Sequence, residues 1–419
     1  MKLPFTYRVK MHEITLNGYY TLIAAPLVLL VGKFMVRKIK FLRDFSIPEP
    51  VAGGLLAAAA VLVLHNFYGI VFNFETSLQD AFMLVFFSSI GLSADFSRLK
   101  QGGLPLVIFL VVVSAFIVLQ NMVGMGMAYA LGQNPLMGLI TGSITLTGGH
   151  GTGAAWGKTL VGHGIHNAVD IALASATFGL VSGGLIGGPV ARRLIAKMGR
   201  KPAMEELADC DTAGEAFNDS TFEDADRQRL ITADSAIETM ALFAACLTVS
   251  SVMTDFMTAH SSFKLPQFVW AIACGVILRN VLTTFFKFDM FDRAIDVFGN
   301  ASLSIFLAIA LMSMKLWQLA DLAGPMIIIL LVQTVVMILY AYFVTARVMG
   351  SDYDASILAA GHCGFGLGAT PTAVANMQSV TAVFGSSHKA FLIVPLVGAF
   401  FVDFINAGIL AFIVNLFGH

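Results

Sequence analysis

Apolar stretches make up most of the sequence, and each is about as long as a helix that crosses a lipid bilayer. A hydrocarbon core of about 30 Å needs roughly 20 apolar residues in a helix. Only 12% of the 419 residues are charged, against roughly 25% in soluble domains. The formal net charge of −1 offers no strongly basic surface to nucleic acid. We therefore expect an all-α polytopic membrane protein that lies in the lipid bilayer and has no nucleic-acid partner.

Ten of these stretches are predicted to cross the membrane, five before and five after a polar linker. The spans lie at 16–32, 48–68, 78–96, 104–131, 168–190, 233–256, 266–281, 297–316, 325–346 and 391–416. Lysines and arginines cluster directly after the first span, and such clusters stay in the cytoplasm. Both termini are therefore predicted outside the cell and the linker inside.

The polar linker divides the chain into two membrane halves. Residues 1–191 form the N-terminal half, 192–232 the linker, and 233–419 the C-terminal half. The linker carries nine acidic residues between Glu205 and Asp226. Runs of like charge are usually solvated, so we interpret the linker as a cytoplasmic tether, with binding of a partner as the alternative.

The two halves also resemble each other in sequence. Residues 86–105 align without a gap with residues 306–325, at a shift of 220. Identical residues coincide at Phe86 and Phe306, Ser93 and Ser313, Leu99 and Leu319, and Pro105 and Pro325. Five crossings per half place the start of the second half on the opposite side of the membrane. Such an inverted repeat is typical of secondary transporters, whose binding site lies between the halves.

Each half also contains one glycine-rich apolar segment, at 136–160 and at 354–380. If the first segment crossed the membrane, every later loop would change sides, so both are predicted to be re-entrant hairpins. Their centres, 148–153 and 364–372, are expected to adopt positive φ and to admit a ligand close to the backbone. Helices that start beyond each centre would aim N–H groups at one point, which suits a carboxylate. Tight helix packing is the alternative reason for the glycines.

The candidate substrate-binding residues therefore come from these two centres and the hydroxyl side chains around them. They are Ser143, Thr145, Thr147, Gly148, Gly149, His150, Gly151, Thr152, Gly153, Gly366, Gly368, Thr370 and Thr372.

Acidic residues inside apolar spans are costly and therefore suggest function. Asp403 and Asp170 are the best placed to bind sodium or a substrate ammonium group, and Asn406 and Thr177 are candidate sodium ligands beside them. No arginine lies deep in a predicted span, so a carboxylate substrate would depend on backbone N–H groups, hydroxyls and a co-bound cation. Coupling to Na⁺ is therefore expected.

Enzyme functions find little support in the sequence. The segment GTGAAWGKT at 151–159 resembles a phosphate loop, but Thr152 stands where the motif needs glycine. His163, His166 and Asp170 could line one helix face as metal ligands, although an interfacial position explains them better. Neither HExxH nor GxSxG occurs. The chain is therefore not expected to be an enzyme.

Four segments carry a specific resemblance: IPEPVAGG at 47–54, GSITLTGGHGTGAA at 142–155, ASATFGL at 174–180, and AGHCGFGLGATPTA at 360–373. With them, nearly the whole chain resembles the bacterial sodium/glutamate symporter family. The resemblance implies uptake of L-glutamate with Na⁺ across the bacterial inner membrane, so the termini that the charges predict outside would be periplasmic. It also implies a homodimer whose transport domain moves against a fixed scaffold, as in an elevator. A similar transporter for another carboxylate or amino acid is the nearest alternative, and a gated ion channel belongs to a different class.

Overall fold

The computed structural model describes residues 12–44, 47–75, 77–199, 231–260, 265–318 and 322–417. The strands are β1 (His12–Leu16) and β2 (Ile70–Phe74). The helices of the first half are α1 (Gly18–Lys38), α2 (Lys40–Asp44), α3 (Glu49–Tyr68), α4 (Ser77–Ser93), α5 (Phe96–Ala130), α6 (Pro135–Leu139), α7 (Gly149–Val161) and α8 (Ala168–Lys197). The helices of the second half are α9 (Ala233–His260), α10 (Gln267–Phe285), α11 (Asp292–Met312), α12 (Ala323–Tyr340), α13 (Ala346–Val348), α14 (Tyr353–Leu367), α15 (Thr370–Phe384), α16 (His388–Leu396) and α17 (Val402–Phe417).

Eight helical segments in the described ranges are long and apolar enough to cross a membrane. They are α1, α3, the part of α5 from Gly103 to Ala130, α8, α9, α10, α11 and the segment Ala323–Val348. Two of the ten predicted spans differ from this pattern. Helix α4 has only 17 residues, and the last span consists of α16, the π-helical turns Val397–Phe401, and α17. The chain is a helical protein with multiple candidate membrane spans, as the sequence predicted.

One element was missed by the prediction of an all-α chain. Strands β1 and β2 pair in parallel from His12 opposite Ile70 to Leu16 opposite Phe74. The backbone N–H of Gly18 donates to the Glu75 carboxylate at 2.6 Å, directly after the pair. These strands are only five residues long, which is too short for apolar periodicity to reveal them.

Six helices form one packed group, which we call the wall group: α1, α3, α4, α9, α10 and α11. Helix α4 packs against α10 and α11, while α3 packs against α1 and α11. Glycines allow these close approaches. A Cβ atom added at Gly91 would lie 2.3 Å from the carbonyl oxygen of Ile272, and one at Gly54 would lie 2.4 Å from Cβ of Leu311. Small residues at helix contacts are typical of membrane proteins.

The helices α5 to α8 and α12 to α17 form a second group, which we call the site group. Helix α8 is central to it, because it packs against α7, α12, α14 and α15. Each group takes helices from both sides of the predicted linker. Residues 200–230 of that linker lie outside the described residues, and α8 extends past the predicted boundary at 191 to Lys197. The division into 1–191, 192–232 and 233–419 stays a prediction.

Candidate functional site

The first glycine-rich segment is a helix with a gap. Helix α6 passes into π-helical turns at Ile140–Ile144, where Gly142 leaves helical geometry with φ −111° and ψ −134°. A turn over residues 145–148 follows, and α7 begins at Gly149 with φ +68°. A Cβ atom added at Gly149 would lie 3.5 Å from the carbonyl oxygen of Gly368. Gly149 therefore needs a left-handed backbone, and it faces the second glycine-rich segment.

The second segment is interrupted more tightly. Helix α14 ends at Leu367, Gly368 and Ala369 leave helical geometry, and α15 begins at Thr370 with Pro371 in its first turn. Neither Gly366 nor Gly368 has a positive φ. The expectation of positive φ is therefore confirmed at Gly149 and wrong at the second segment.

We call the two interruptions the first gap (residues 145–148) and the second gap (Gly368 and Ala369). A cavity of about 420 Å³ lies between them. The residues that line it come from both gaps, from α4 and α11 of the wall group, and from the last predicted span. They are Phe86, Ser89, Ile90, Ser93, Thr147, Gly148, Gly149, His150, Asp296, Asn300, Phe365, Gly368, Ala369, Thr370, Pro371, Gly398 and Asp403. Two segments that lie far apart in sequence thus meet at one place.

The structure brings some predicted site residues into the cavity wall and places others elsewhere. The predicted residues that line it are Thr147, Gly148, Gly149, His150, Gly368, Thr370 and Asp403. The predicted residues outside the lining are Ser143, Thr145, Gly151, Thr152, Gly153, Gly366, Thr372, Asp170, Asn406 and Thr177.

Several of the predicted residues outside the lining make hydrogen bonds within the protein. The Ser143 hydroxyl donates to Oδ1 of Asn406 at 2.7 Å, and Nδ2 of Asn406 donates to the Ser143 carbonyl at 3.0 Å. The Thr145 hydroxyl donates to the Ile140 carbonyl at 2.6 Å. These bonds satisfy polar groups where the helix is interrupted, as a non-helical backbone in a membrane requires.

His150 contacts Thr177, which the sequence had suggested as a sodium ligand. Nε2 of His150 lies 3.1 Å from Oγ1 of Thr177, whose hydroxyl donates to the Leu173 carbonyl at 2.8 Å. A hydroxyl has one hydrogen, so Thr177 accepts from Nε2 of His150 in this arrangement. Thr177 therefore holds the ring of a cavity residue in place.

Asp170 lies apart from the cavity, at the start of α8. It is partly buried, and the backbone N–H of Lys315 donates to its carboxylate. Lys158 at the end of α7 forms an ion pair with Asp80 at the start of α4. Both contacts join the site group to residues in or next to the wall group.

The wall group turns a polar face toward the cavity that the sequence patterns did not predict. Asp296 and Asn300 lie one turn apart on α11, and Ser89 and Ser93 lie one turn apart on α4. The Ser93 hydroxyl donates to Oδ1 of Asp296 at 3.4 Å. Asp296 precedes the predicted span at 297–316 by one residue and was therefore not a candidate site residue. The spacing of Asp296 and Asn300 by four residues was the available signal.

The charges around the cavity are unusual for a carboxylate site. Asp296 and Asp403 both line it, and no lysine or arginine does among the residues whose side chains are described. Arg279 on α10 is buried, which the sequence did not anticipate, but it pairs with Asp292 and Asp95 instead. The first turns of α7 and α15 offer backbone N–H groups at the cavity. The site therefore combines helix ends whose chemistry suits an anion with carboxylates whose chemistry suits a cation.

Comparisons with known proteins point to one family. The family model for the sodium/glutamate symporter matches residues 14–386. The chain belongs to the sodium/glutamate symporter family. It is 53% identical to the sodium/glutamate symporter of Haemophilus influenzae over 399 residues, which cover 94% of this chain and 96% of that protein. It is also 53% identical to the symporter of Escherichia coli over 393 residues, with the same coverage.

The family predicted from the sequence is thus confirmed. Members of this family are named symporters, which are transporters and not enzymes, in agreement with the prediction that the chain is no enzyme. A transporter with multiple apolar helices is a multi-pass membrane protein. The family name gives Na⁺ as the co-transported ion rather than a resident cofactor.

Proposed function

We propose that this sodium/glutamate symporter family member imports L-glutamate together with Na⁺ across the bacterial inner membrane. The observation that carries the proposal is the cavity between the two gaps, where two helix N-termini and two aspartates converge without a lysine or arginine among the described side chains. The names of its relatives, which are 53% identical, support the same substrates.

The chemistry of glutamate fits this arrangement. Glutamate has two carboxylates and one ammonium group, and the cavity has two helix N-termini and two carboxylates. The first turns of α7 and α15 bind the substrate carboxylates through backbone N–H groups. Pro371 has no N–H, so on α15 the backbone N–H of Thr370, which lines the cavity, serves this purpose.

Sodium binds at Asp403 in this proposal. Asp403 lines the cavity and has no hydrogen-bond or ion-pair partner among the described residues. A dry site that holds a dicarboxylate needs a cation to offset its charge, so glutamate binding without Na⁺ is weak. Asp170, Asn406 and Thr177 are left out of the proposed sodium site, because they lie outside the cavity lining.

Alternating access requires the site to open to each side of the membrane in turn. The cavity contacts the last turns of α4 and the first turns of α11. The contacts of Asp80 with Lys158 and of Lys315 with Asp170 lie at the opposite ends of these helices. With periplasmic termini and a cytoplasmic linker, the cavity therefore opens inward and these contacts close the outer side.

In the proposed mechanism, the two halves are inverted repeats and the two gaps are tips of re-entrant hairpins. The matching starts of α3 and α10 support the repeat, since each helix begins directly after an extended proline, Pro48 and Pro266. The site group carries the ligands and moves against the wall group as an elevator. Two copies of the chain form a homodimer.

The test is uptake of labelled glutamate into proteoliposomes under an imposed sodium gradient. We expect accumulation that stops when the gradient is removed, and unlabelled glutamate should compete better than aspartate or citrate. Accumulation of citrate or another amino acid in preference to glutamate would favour the same architecture with a different substrate. Uptake that equilibrates without regard to the gradient would indicate a channel and contradict the proposal.

A further inference from the structure

The side chain of Gln120 bridges the two gaps. Gln120 lies on α5 and is fully buried. Its Nε2 donates to the Gly366 carbonyl at 3.1 Å, and its Oε1 accepts from the Thr147 hydroxyl at 2.8 Å. Oγ1 of Thr147 also lies 3.3 Å from the Gly366 carbonyl oxygen. One amide group therefore contacts both interrupted segments at once.

The partners of Gln120 fix the orientation of its amide. A carbonyl oxygen can only accept, so the nitrogen of the amide must face Gly366. The oxygen then faces Thr147, whose hydroxyl donates to it. A glutamate side chain at position 120 would have the same shape, but its ionised carboxylate could not donate a hydrogen bond. An apolar side chain could neither donate nor accept one. The position thus needs an amide.

Two further contacts hold Gln120 in place. One turn later, Gly124 packs so closely on α6 that an added Cβ atom would lie 2.1 Å from the Gly138 carbonyl oxygen. From α12, Nε2 of Gln333 donates to the backbone carbonyl of Gln120 at 2.7 Å. Helix α5 is therefore fixed against the first gap and against α12. A buried amide is costly in hydrocarbon unless it is hydrogen-bonded, and Gln120 uses both polar atoms of its side chain.

We propose that Gln120 is a positioning residue that couples the two gaps, so that occupancy of one gap changes the affinity at the other. The proposal rests on the proposed function. Thr147 lines the cavity, and Gly366 lies two residues before Gly368, which also lines it. A ligand that orders Thr147 therefore strengthens the bond that holds the second gap. Na⁺ at Asp403 lies beside the second gap, because Gly398 of the same span packs against Thr370. Through these contacts, Na⁺ binding raises the affinity for glutamate, and glutamate raises the affinity for Na⁺ to the same extent.

The test compares the apparent KM for glutamate at low and high Na⁺ in wild-type protein and Gln120→Met, normalised to the transporter in the membrane. In wild-type protein, KM should fall as Na⁺ rises. In Gln120→Met, that fall should shrink by about tenfold, which corresponds to about 1.4 kcal/mol of coupling, while kcat changes little. The matched control is Gln267→Met. It removes a 3.4 Å hydrogen bond from Gln267 to Ser250 within the wall group and should keep the wild-type sodium dependence.

A second variant tests the same link from the other side. Thr147→Val removes the hydroxyl that Gln120 accepts from, and the double variant should lose little more coupling than either single variant. If Gln120→Met fails to reach the membrane, Thr147→Val must by itself show the weakened sodium dependence. Wild-type sodium dependence in Thr147→Val, or additive losses in the double variant, would overturn the proposal. Absence of sodium-driven uptake in wild-type protein would instead overturn the proposed function.

Discussion

The two gaps face the same cavity but are built in different ways. The first gap follows π-helical turns, spans a four-residue turn at 145–148, and needs Gly149 at φ +68°. The second gap is two residues long, runs through the extended Ala369, and has Pro371 in the first turn of the next helix. Positive φ occurs only at the first gap.

The glycines of the two gaps therefore serve different purposes. At the first gap, the backbone conformation requires glycine at Gly149. At the second gap, the helices on either side approach so closely that side chains do not fit. A Cβ atom added at Gly364 would lie 2.3 Å from Cα of Ala373, and one at Gly368 would lie 2.9 Å from the Gly364 carbonyl oxygen. Strain should thus limit substitutions at Gly149, and steric clash should limit them at Gly364.

The largest effect is expected for Gly364→Ala. Its Cβ would collide with backbone atoms of α15, which cannot move away as a side chain can. We expect a loss of about 3 kcal/mol or more in stability and little folded protein in the membrane. Gly408→Ala is the control, because nothing lies within 4 Å of an added Cβ. Membrane levels and melting temperature in detergent measure the effect, and a normal level of Gly364→Ala would contradict close packing at this gap.

A smaller loss of stability, with a strong loss of transport, is expected for Gly149→Ala. The left-handed backbone costs an alanine roughly 1–2 kcal/mol, while the nearest atom to its Cβ, at 3.5 Å, allows ordinary contact. Asparagine tolerates positive φ better, so Gly149→Asn should retain more glutamate uptake than Gly149→Ala. Equal uptake in the two variants would show that strain is not the limiting factor.

Gly366→Ala should reduce glutamate uptake less than Gly149→Ala does. Gly366 lies inside α14, and the contact nearest to an added Cβ is Sδ of Met337 at 2.9 Å. The end of a methionine side chain can shift, so uptake should stay within about threefold of wild type, since an adjustment of this kind costs well under 1.4 kcal/mol. Uptake as low as in Gly149→Ala would mean that both gaps depend on glycine conformation after all.

The smallest change in stability is expected for Lys158→Met. Lys158 lies near the end of α7, the helix that follows the first gap. The side chains of Lys158 and Asp80 are 30% and 50% exposed, and exposed ion pairs contribute at most about 1 kcal/mol. Melting temperature should therefore change little, with Asp80→Asn giving the same result. A large loss of stability in only one of them would show that the pair has additional partners.

Much of this comparison could be predicted from the sequence, because glycines and spans leave clear patterns. The apolar stretches indicated the helices, the two glycine-rich segments indicated both gaps, and an acidic residue inside the last apolar span indicated Asp403. Asp296 was not predicted as a site residue because it lies just before a predicted span, and acidic residues are common at the start of a helix. The role of Gln120 was not predicted because a single glutamine in an apolar helix gives no periodic signal. Its hydrogen-bond partners, Thr147 and Gly366, are also far away in sequence.

Positive φ was expected at both gaps because both are rich in glycine. A glycine can serve either to give the backbone an unusual conformation or to let helices pack closely. Sequence alone does not separate these two uses, because both produce the same residue. Gly149 and Gly364 show the difference only when the neighbouring backbone is known. The same limit applies to Asp170 and Asp403, which look alike in sequence but lie outside and inside the cavity lining.

The central claim is that the cavity between the gaps binds Na⁺ and glutamate together, and a sodium titration of glutamate uptake tests it most directly. Asp403→Asn keeps the shape of the side chain but removes the charge that offsets the cation. We predict an apparent KM for glutamate about tenfold higher at low Na⁺, partly restored at high Na⁺, whereas Asp170→Asn, outside the cavity lining, keeps the wild-type sodium dependence. Unchanged sodium and glutamate dependence per transporter in Asp403→Asn would contradict the account.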